Sequence, residues 1–382
     1  MENGVKTVCK KNQCVGCMAC VDMCPKKAIS IVDTRHAFNA VIDEGKCIHC
    51  GICTNVCQNN KMVTLKHPET WYQGWIEDEK LRGKSSSGGA AKAISQKFIS
   101  EGGVVVSCCF KNGVFGFESA ENFEDLEKFT GSKYVKSNPS GVYKKVQNLL
   151  KEGNKVLFIG LPCQVGALKT VIRENDNLYT VDLICHGTPS PKLLRDYFAL
   201  HNVNLDEISS ISFRYKDVFG LAQDRIPLSQ PGSCDNYLLA FLCGLDYTDN
   251  CYECKYAGIN RGSDITIGDS WGSDLAEEEQ HRGISIMLCQ TEKGEQLLKS
   301  SSMKLFPVNL ERAISVNDQL REPSTKTKKH DLFFKKYPNR SFNYATFCCL
   351  PFKCVKQRIK AFLLKTKILR WGDMNYNISI TK

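Results

Sequence analysis

A chain of 382 residues with 42% hydrophobic and 24% charged residues has room for two or three ordinary domains and enough apolar content to build cores, which excludes a disordered, collagen-like or disulfide-stapled miniature protein. The net charge of +10 is unevenly placed: residues 321–382 hold fifteen Lys and Arg against Glu322, Asp331 and Asp373, a net of +12, so residues 1–320 stand at −2 and no nucleic-acid partner is expected. The outlier is cysteine, at 21 residues, in a chain without an apolar run near the roughly 18 residues of a membrane-spanning helix or an apolar h-region at its start. A cytoplasmic location is therefore expected, where thiols stay reduced and cysteines serve metal or redox chemistry.

Nine of the cysteines fall in residues 1–57, and that segment is an internal repeat. Cys14, Cys17, Cys20 and Cys24 recur at one constant offset as Cys47, Cys50, Cys53 and Cys57, and the same offset matches Val8 to Val41 and Ile29 to Met62, so short strands are expected to flank each cysteine loop. The C-x2-C-x2-C-x3-C spacing, repeated in tandem, is that of a two-cluster ferredoxin, in which the fourth cysteine of each run ligates the other cluster. Cluster one then takes Cys14, Cys17, Cys20 and Cys57, and cluster two takes Cys47, Cys50, Cys53 and Cys24. A pair of zinc sites is the competing reading, but tetrahedral zinc is poorly served by eight thiols so spaced. Gln58 replaces the proline that follows the first run as Pro25.

From about Trp71 helical and strand patterns alternate, as in an α/β architecture. A helix is expected over Ser87–Ser100, ended by Gly102 and Gly103 before a strand over Val104–Phe110. A second unit follows: helix Val142–Lys151, strand Val156–Ile159 and a loop over Gly160–Gln164. A third strand, Tyr179–Ile184, leads into Cys185-His-Gly-Thr-Pro189. Cys163 and Cys185 thus stand just past strand C-termini, where open α/β sheets place ligands. With the C-x2-C pair Cys251 and Cys254 they make either a third four-thiolate site or a set of buried thiols acting as small hydrophobes. His186 is either a tuning or proton-relaying neighbour of that site or an ordinary hydrogen-bonded loop histidine. Cys9, Cys108, Cys109, Cys234, Cys243 and Cys289 read as buried or incidental thiols. Residues 351–371 read as a basic amphipathic helix, with Phe352, Val355, Ile359, Phe362 and Leu363 on one face. That helix either meets a membrane surface or an acidic partner, or packs on the body with its lysines in water.

The cysteine repeat, followed in order by KSSSGGAAKAIS, GSKYVKS, GLPCQVGALK, VDLICHGTPSP and CYECKYAGINRGSDITIGDSWG, resembles the coenzyme F-420 hydrogenase/dehydrogenase beta-subunit family over about residues 1–290. The resemblance implies an α+β dicluster ferredoxin-like domain (1–68), an α/β domain of the F-420 hydrogenase beta-subunit type (69–320) and a basic tail (321–382). It also implies an oxidoreductase: two [4Fe-4S] clusters in the ferredoxin domain, a third [4Fe-4S] cluster on Cys163, Cys185, Cys251 and Cys254, and a flavin, usually FAD. Ser86, Ser87, Gly88 and Gly89 correspond to the family's glycine-rich cofactor segment, and Asp264 and Asp269 in SDITIGD are further cofactor candidates. No G-x-G-x-x-G fingerprint supports the flavin independently, and Ser86–Gly89 also reads as an ordinary helix start. The implied partner is a redox protein or a soluble hydride or electron carrier; within the family such carriers include a deazaflavin coenzyme and reduced ferredoxin. The alternative is an electron-transfer subunit without its own substrate, docked on a catalytic or membrane-associated partner. FRYKDVFG, residues 213–220, matches the family's next motif only loosely, which weakens any transfer of one specific substrate.

Overall fold

The computed structural model describes residues 5–369. The cysteine repeat folds as a small α+β unit in which the antiparallel strands Ile29–Asp33 and Phe38–Ile42 carry two short helices, Ala19–Met23 and Ile52–Asn55. Each helix is entered through a left-handed residue, Met18 in one half and Gly51 in the other, at the offset of the cysteine repeat. The repeat is imperfect at its outer edge. Val8 and Val41 lie in paired backbone, Thr7 bridging to Val41, but no strand forms at Met62, which is exposed. The chain there runs on to bridge Lys66 to Arg261 of the larger domain.

The larger domain is built on one eight-stranded mixed sheet, in the order Met303–Phe306, Thr70–Ile76, Ser285–Cys289, Ile265–Asp269, Leu178–Leu183, Val156–Gly160, Val104–Lys111 and Val114–Ala120. The four strands from Ile265–Asp269 to Val104–Lys111 are mutually parallel. Val156–Gly160 is buried at every position, as a central parallel strand covered on both faces must be. Helix Ala90–Ser100 covers one face, with Ile94 and Phe98 against Val105, Leu157 and Val181. Helices Val142–Lys151 and Pro162–Val171 cover the other, and their core of Tyr143, Val146, Phe158 and Leu168 continues into the small unit through Ala19, Phe38 and Val56. The two domains therefore share a core.

Two expected boundaries shift for local reasons. The helix expected from Ser87 begins at Ala90, because Gly89 takes φ +89° and a β-carbon there would lie 2.7 Å from the Ile76 side chain. The loop expected over Gly160–Gln164 is shorter. Pro162 opens a helix, Pro162–Val171, and Gln164 Oε1 accepts from Leu161 N–H at 2.8 Å, so Cys163 sits in the first helical turn.

Residues 321–382, read as a separate tail, begin as part of the body. Helices Lys328–Lys336 and Phe342–Cys349 bury Phe333 and Phe342 among Leu193, Phe198, Phe213 and Tyr237. Helix Pro351–Lys365 follows; Arg370 and Trp371, the end of the helix read from sequence, lie outside the described residues. Among the described residues no helix is long and apolar enough to cross a membrane.

Candidate functional site

Cys14, Cys17, Cys20 and Cys57 are buried and together line one small cavity, joined there by Cys9. Cys57 arrives from the second half of the repeat, as the crossed assignment requires. The backbone N–H of Gly16 donates to Cys14 Sγ and that of His49 to Cys47 Sγ, both at 3.4 Å, so the two loops present matching N–H···S contacts at equivalent positions of the repeat. Cys47 and Cys53 are half-buried and Cys50 is exposed, which puts the second cysteine group on the outer face of the small domain.

Cys163, Cys185, Cys251 and Cys254 line a second cavity, of about 270 Å³, between the small domain and the C-terminal edge of the parallel strands. Separate parts of the chain converge there: Cys163 from the first helical turn after strand Val156–Gly160, Cys185 from the loop after Leu178–Leu183, and the C-x2-C pair from the turn after Asp249. Burial raises the thiol of Cys163 and pushes that of Cys185 up to about 12. Among the described residues no three ligating side chains close in tightly enough to hold a single metal ion. A cubane instead spreads four thiolates over four iron corners around a core, and a cavity with these four cysteines in its lining has room for such a group. His186 stands exposed at the rim.

Cys9 lines both cavities. Nothing in its spacing links it to either motif, and only tertiary packing places it. Gln58, which replaces the expected proline, is buried, and its Nε2 donates to the Cys163 carbonyl. The substitution thus adds a link between the residue after Cys57 and the helix turn that holds Cys163. Further links are Gln13 Nε2 to Glu253 Oε2 at 2.8 Å, Lys255 Nζ to the Asn59 carbonyl at 3.1 Å, and Thr170 Oγ1 to the Val56 carbonyl at 2.8 Å.

Three more side chains at this junction are not singled out by the sequence, although Lys136 and Tyr256 stand inside quoted motifs. Lys136 of GSKYVKS is buried, lines the larger cavity, and donates to the Val15 carbonyl at 3.2 Å, inside the first cysteine loop. The hydroxyls of Tyr143 and Tyr256 are buried without a hydrogen-bond partner in the chain. Both rings lie in the electrostatic reach of Cys17 and Cys163. Gly166 makes room for Tyr256, since a β-carbon there would sit 2.1 Å from the phenol oxygen. Two donors left open between two cysteine groups are what an absent sulfur-rich cluster would leave behind.

The flavin candidates separate. Ser86, Ser87, Gly88 and Asp269 lie together at the C-terminal edge of the sheet, on the same edge as Cys163 and Cys185. Ser87 Oγ donates to the Ile284 carbonyl and Gly88 N–H to Ser285 Oγ, and a β-carbon at Gly88 would meet the Gly74 carbonyl at 2.4 Å, so the small residues are demanded by close packing on the sheet. Asp264 is elsewhere. It stands at the opposite end of strand Ile265–Asp269, where its carboxylate accepts from Thr180 N–H and Oγ1 and from Thr291 Oγ1, and it ties strand starts together.

The loosely matching segment FRYK supplies residues that the sequence did not mark. Arg214 makes a two-pronged pair with Asp269, at 2.7 and 3.0 Å, and donates to the Ser86 carbonyl, while its Nε is buried without a partner. Lys216 Nζ donates to the carbonyls of Arg82 and Ser87. Burial, then the neighbouring Arg82 and Arg214, hold the Lys216 amine down to about 8. In the unfolded chain it titrates near its ordinary value, so between those pH values the unfolded state binds the proton that the native state has released, and this residue makes stability rise with pH. In flavin-free protein, Lys216→Met should remove that rise, narrowing the wild-type gain between pH 7.5 and 9.5 by about 1–2 kcal/mol in urea titrations. An identical pH slope in both proteins would contradict the placement.

Residues 153–306 match the family model for the C terminus of the coenzyme F420 hydrogenase/dehydrogenase beta subunit, and residues 13–61 match that of the 4Fe-4S dicluster domain. Among curated proteins the chain is similar to a coenzyme F420-dependent sulfite reductase of Methanocaldococcus jannaschii, 22% identical over 351 residues that cover 77% of this chain and 51% of that protein. The chain spans about half the length of this curated relative. Among solved structures it is similar to a chain of the F420-reducing [NiFe] hydrogenase complex from Methanosarcina barkeri, 21% identical, covering 67% of this chain and 90% of that one with a TM-score of 0.47. With a dicluster domain and a beta-subunit domain matched in that order, the chain belongs to the coenzyme F420 hydrogenase/dehydrogenase beta-subunit family, as a member with an N-terminal 4Fe-4S dicluster domain.

Proposed function

We propose that the chain is an iron-sulfur flavin oxidoreductase that passes electrons between its dicluster domain and a flavin-bound reaction in the α/β domain. The observation that carries this reading is the cavity where Cys163, Cys185, Cys251 and Cys254 converge beside the cysteines of cluster one, with Cys9 common to both linings. Those four thiols would hold a third [4Fe-4S] cluster. Cys14, Cys17, Cys20 and Cys57 would hold cluster one, and Cys24, Cys47, Cys50 and Cys53 cluster two. The exposed Cys50 makes the second group the natural meeting point for a redox partner or soluble carrier.

FAD would lie at the C-terminal edge of the sheet against Ser86, Ser87, Gly88, Gly89 and Asp269. Arg214, with its open buried Nε, and Lys216 supply the positive charge that an anionic cofactor needs there. When bound, a flavin supplies the exchange between two-electron hydride chemistry and the one-electron traffic of cubanes. The chain's own residues orient it and exclude water: Arg214 is locked by Asp269 and Ser86, and Lys216 by the carbonyls of Arg82 and Ser87. A deazaflavin coenzyme is the carrier that the curated relative's name suggests. A second reading, an electron-transfer subunit without its own substrate that docks on a catalytic partner, is favoured by the exposed Cys50, which opens the second cysteine group to a docked protein.

Anaerobic purification with iron, sulfide and flavin analysis tests the proposal. About twelve iron atoms and one flavin per chain are expected. About eight iron atoms with no flavin would remove both the third cluster and the reductase reading.

A further inference from the structure

Helix Pro351–Lys365 turns its apolar face away from the protein. The side that meets the body carries Cys354, 1% exposed, the largely buried Leu364, and Gln357, whose Oε1 accepts from the Cys234 N–H at 2.9 Å. Of the apolar residues that sequence periodicity groups, four point outward and Leu363 is half-buried: Phe352 is 89% exposed, Ile359 55% and Phe362 61%, with Val355 between them and Ile368, 71% exposed, just beyond the helix. They recur at intervals of three and four residues and form one stripe along the helix. The helix therefore packs on the body, as one of the two readings has it, but through Cys354, Gln357 and Leu364 and not through that stripe.

Along this helix and the helix before it the charge has one sign. At the helical spacing of 100° per residue, the exposed Lys356 and the half-buried Lys360 follow one flank and the exposed Arg358 and Lys365 the other, and Lys367 lies in the turn beyond the helix. No acidic residue occurs anywhere from 332 to 372. The patch continues onto the preceding helix, Phe342–Cys349, through the exposed Tyr344 and Phe347; the Arg358 guanidinium lies 5.5 Å from the Phe347 ring centre. The Cys354 side of the helix is used up by the body. Only the stripe and its cationic margins are offered outward.

From this geometry we infer that helix Pro351–Lys365 is a docking face for an anionic lipid surface. A shallow row of large apolar side chains fits the headgroup and acyl boundary of a bilayer, and long lysines flanking it reach anionic headgroups while their stems stay with the apolar layer. A folded acidic protein would match the charge, but it would have to supply a groove for Phe352, Ile359 and Phe362; a bilayer needs none. The inference does not depend on which cofactors the body holds.

The test is co-sedimentation of the anaerobically purified holoprotein with vesicles of phosphatidylcholine alone and of phosphatidylcholine with phosphatidylserine, at low and high salt. Binding to the anionic vesicles only, weakened by salt, is expected. Phe352→Ser with Phe362→Ser should lower the anionic-vesicle partition at least about tenfold, and Lys356→Glu with Lys365→Glu, both exposed, should do the same at low salt. Iron content and circular dichroism should be unchanged in both, since these side chains are not part of the core. The inference falls if the wild type does not bind anionic vesicles at low salt, or if the Phe352→Ser/Phe362→Ser protein binds as well as wild type. It also falls if the stripe instead drives a concentration-dependent dimer, or if vesicles bind only after residues 370–382 are removed, which would make that segment the cover.

Discussion

Replacing Cys163 by Ser should cost the protein about four of about twelve iron atoms and leave the dicluster domain loaded. The reasoning is geometric. Cys163 stands in the first turn of helix Pro162–Val171 and faces the cavity shared with Cys185, Cys251 and Cys254. Serine keeps the backbone, so the Cys163 carbonyl still receives Gln58 Nε2 and the junction between domains survives. It replaces a soft thiolate by a hard hydroxyl that is a poor iron-sulfur ligand. Cys108→Ser is the control: Cys108 belongs to strand Val104–Lys111 and lines neither cavity, and its iron content should match wild type. The outcome is read by iron and sulfide analysis and by the electron paramagnetic resonance of the reduced protein. Full iron retained in Cys163→Ser, or iron lost equally in Cys108→Ser, would rule out the third-cluster assignment.

Lys136→Met should lower the midpoint potentials of the two groups that Lys136 stands between. Its amine is buried, reaches into the Cys14 loop at the Val15 carbonyl and lines the cavity of Cys163 and Cys185. Reduction adds a negative charge to a cluster, and a fixed cation favours the reduced form. Removing it therefore shifts the couple downwards. A unit charge at about 10 Å with an effective dielectric near 20 is worth about 1.7 kcal/mol, or roughly 70 mV for one electron. Tyr256→Phe should shift the same couples in the same direction by less, because it removes one neutral donor. Lys136→Arg should restore most of the wild-type value. Potentiometric titration followed by electron paramagnetic resonance gives the numbers, and a Lys136→Met shift below about 20 mV would place the lysine outside the electron path.

These two experiments address parts of the site that differ in how far the sequence reveals them. The dicluster run is readable because its ligands are a few residues apart and its repeat keeps one constant offset; the matching N–H···S contacts and left-handed helix entries follow from that same offset. The parallel strands are readable from short apolar runs, and helix Val142–Lys151 has the bounds its period predicts. The four thiols of the larger cavity are visible in the sequence only as scattered residues. Their convergence depends on the strand order that brings Cys163, Cys185 and the turn at Cys251 to one sheet edge.

Asp264 and Asp269 show the limit most clearly. Placed close together in one motif, they read as equivalent, but a strand carries them to opposite ends, one among threonines and one against Arg214. Gln58 reads in the sequence as the loss of a proline and is, in the fold, the gain of a hydrogen bond. Cys9 and Tyr143 have no local signal, and Lys136 and Tyr256 stand unmarked inside longer motifs, since each acquires its neighbours from another part of the chain.

The amino-acid sequence alone determined the number and spacing of the ferredoxin-type thiols, the alternation of helices and strands behind them, and the concentration of a +12 charge in residues 321–382. All of these are local quantities, set by ligand spacing, side-chain period and composition. Tertiary structure decided which thiols share a cavity, which cation lies between them, and which face of the last helix meets the outside. The physical reason is that an amphipathic period says a helix has an apolar face without saying what buries it; here Cys354, Gln357 and Leu364 make the contacts with the body, and Phe352, Ile359 and Phe362 do not.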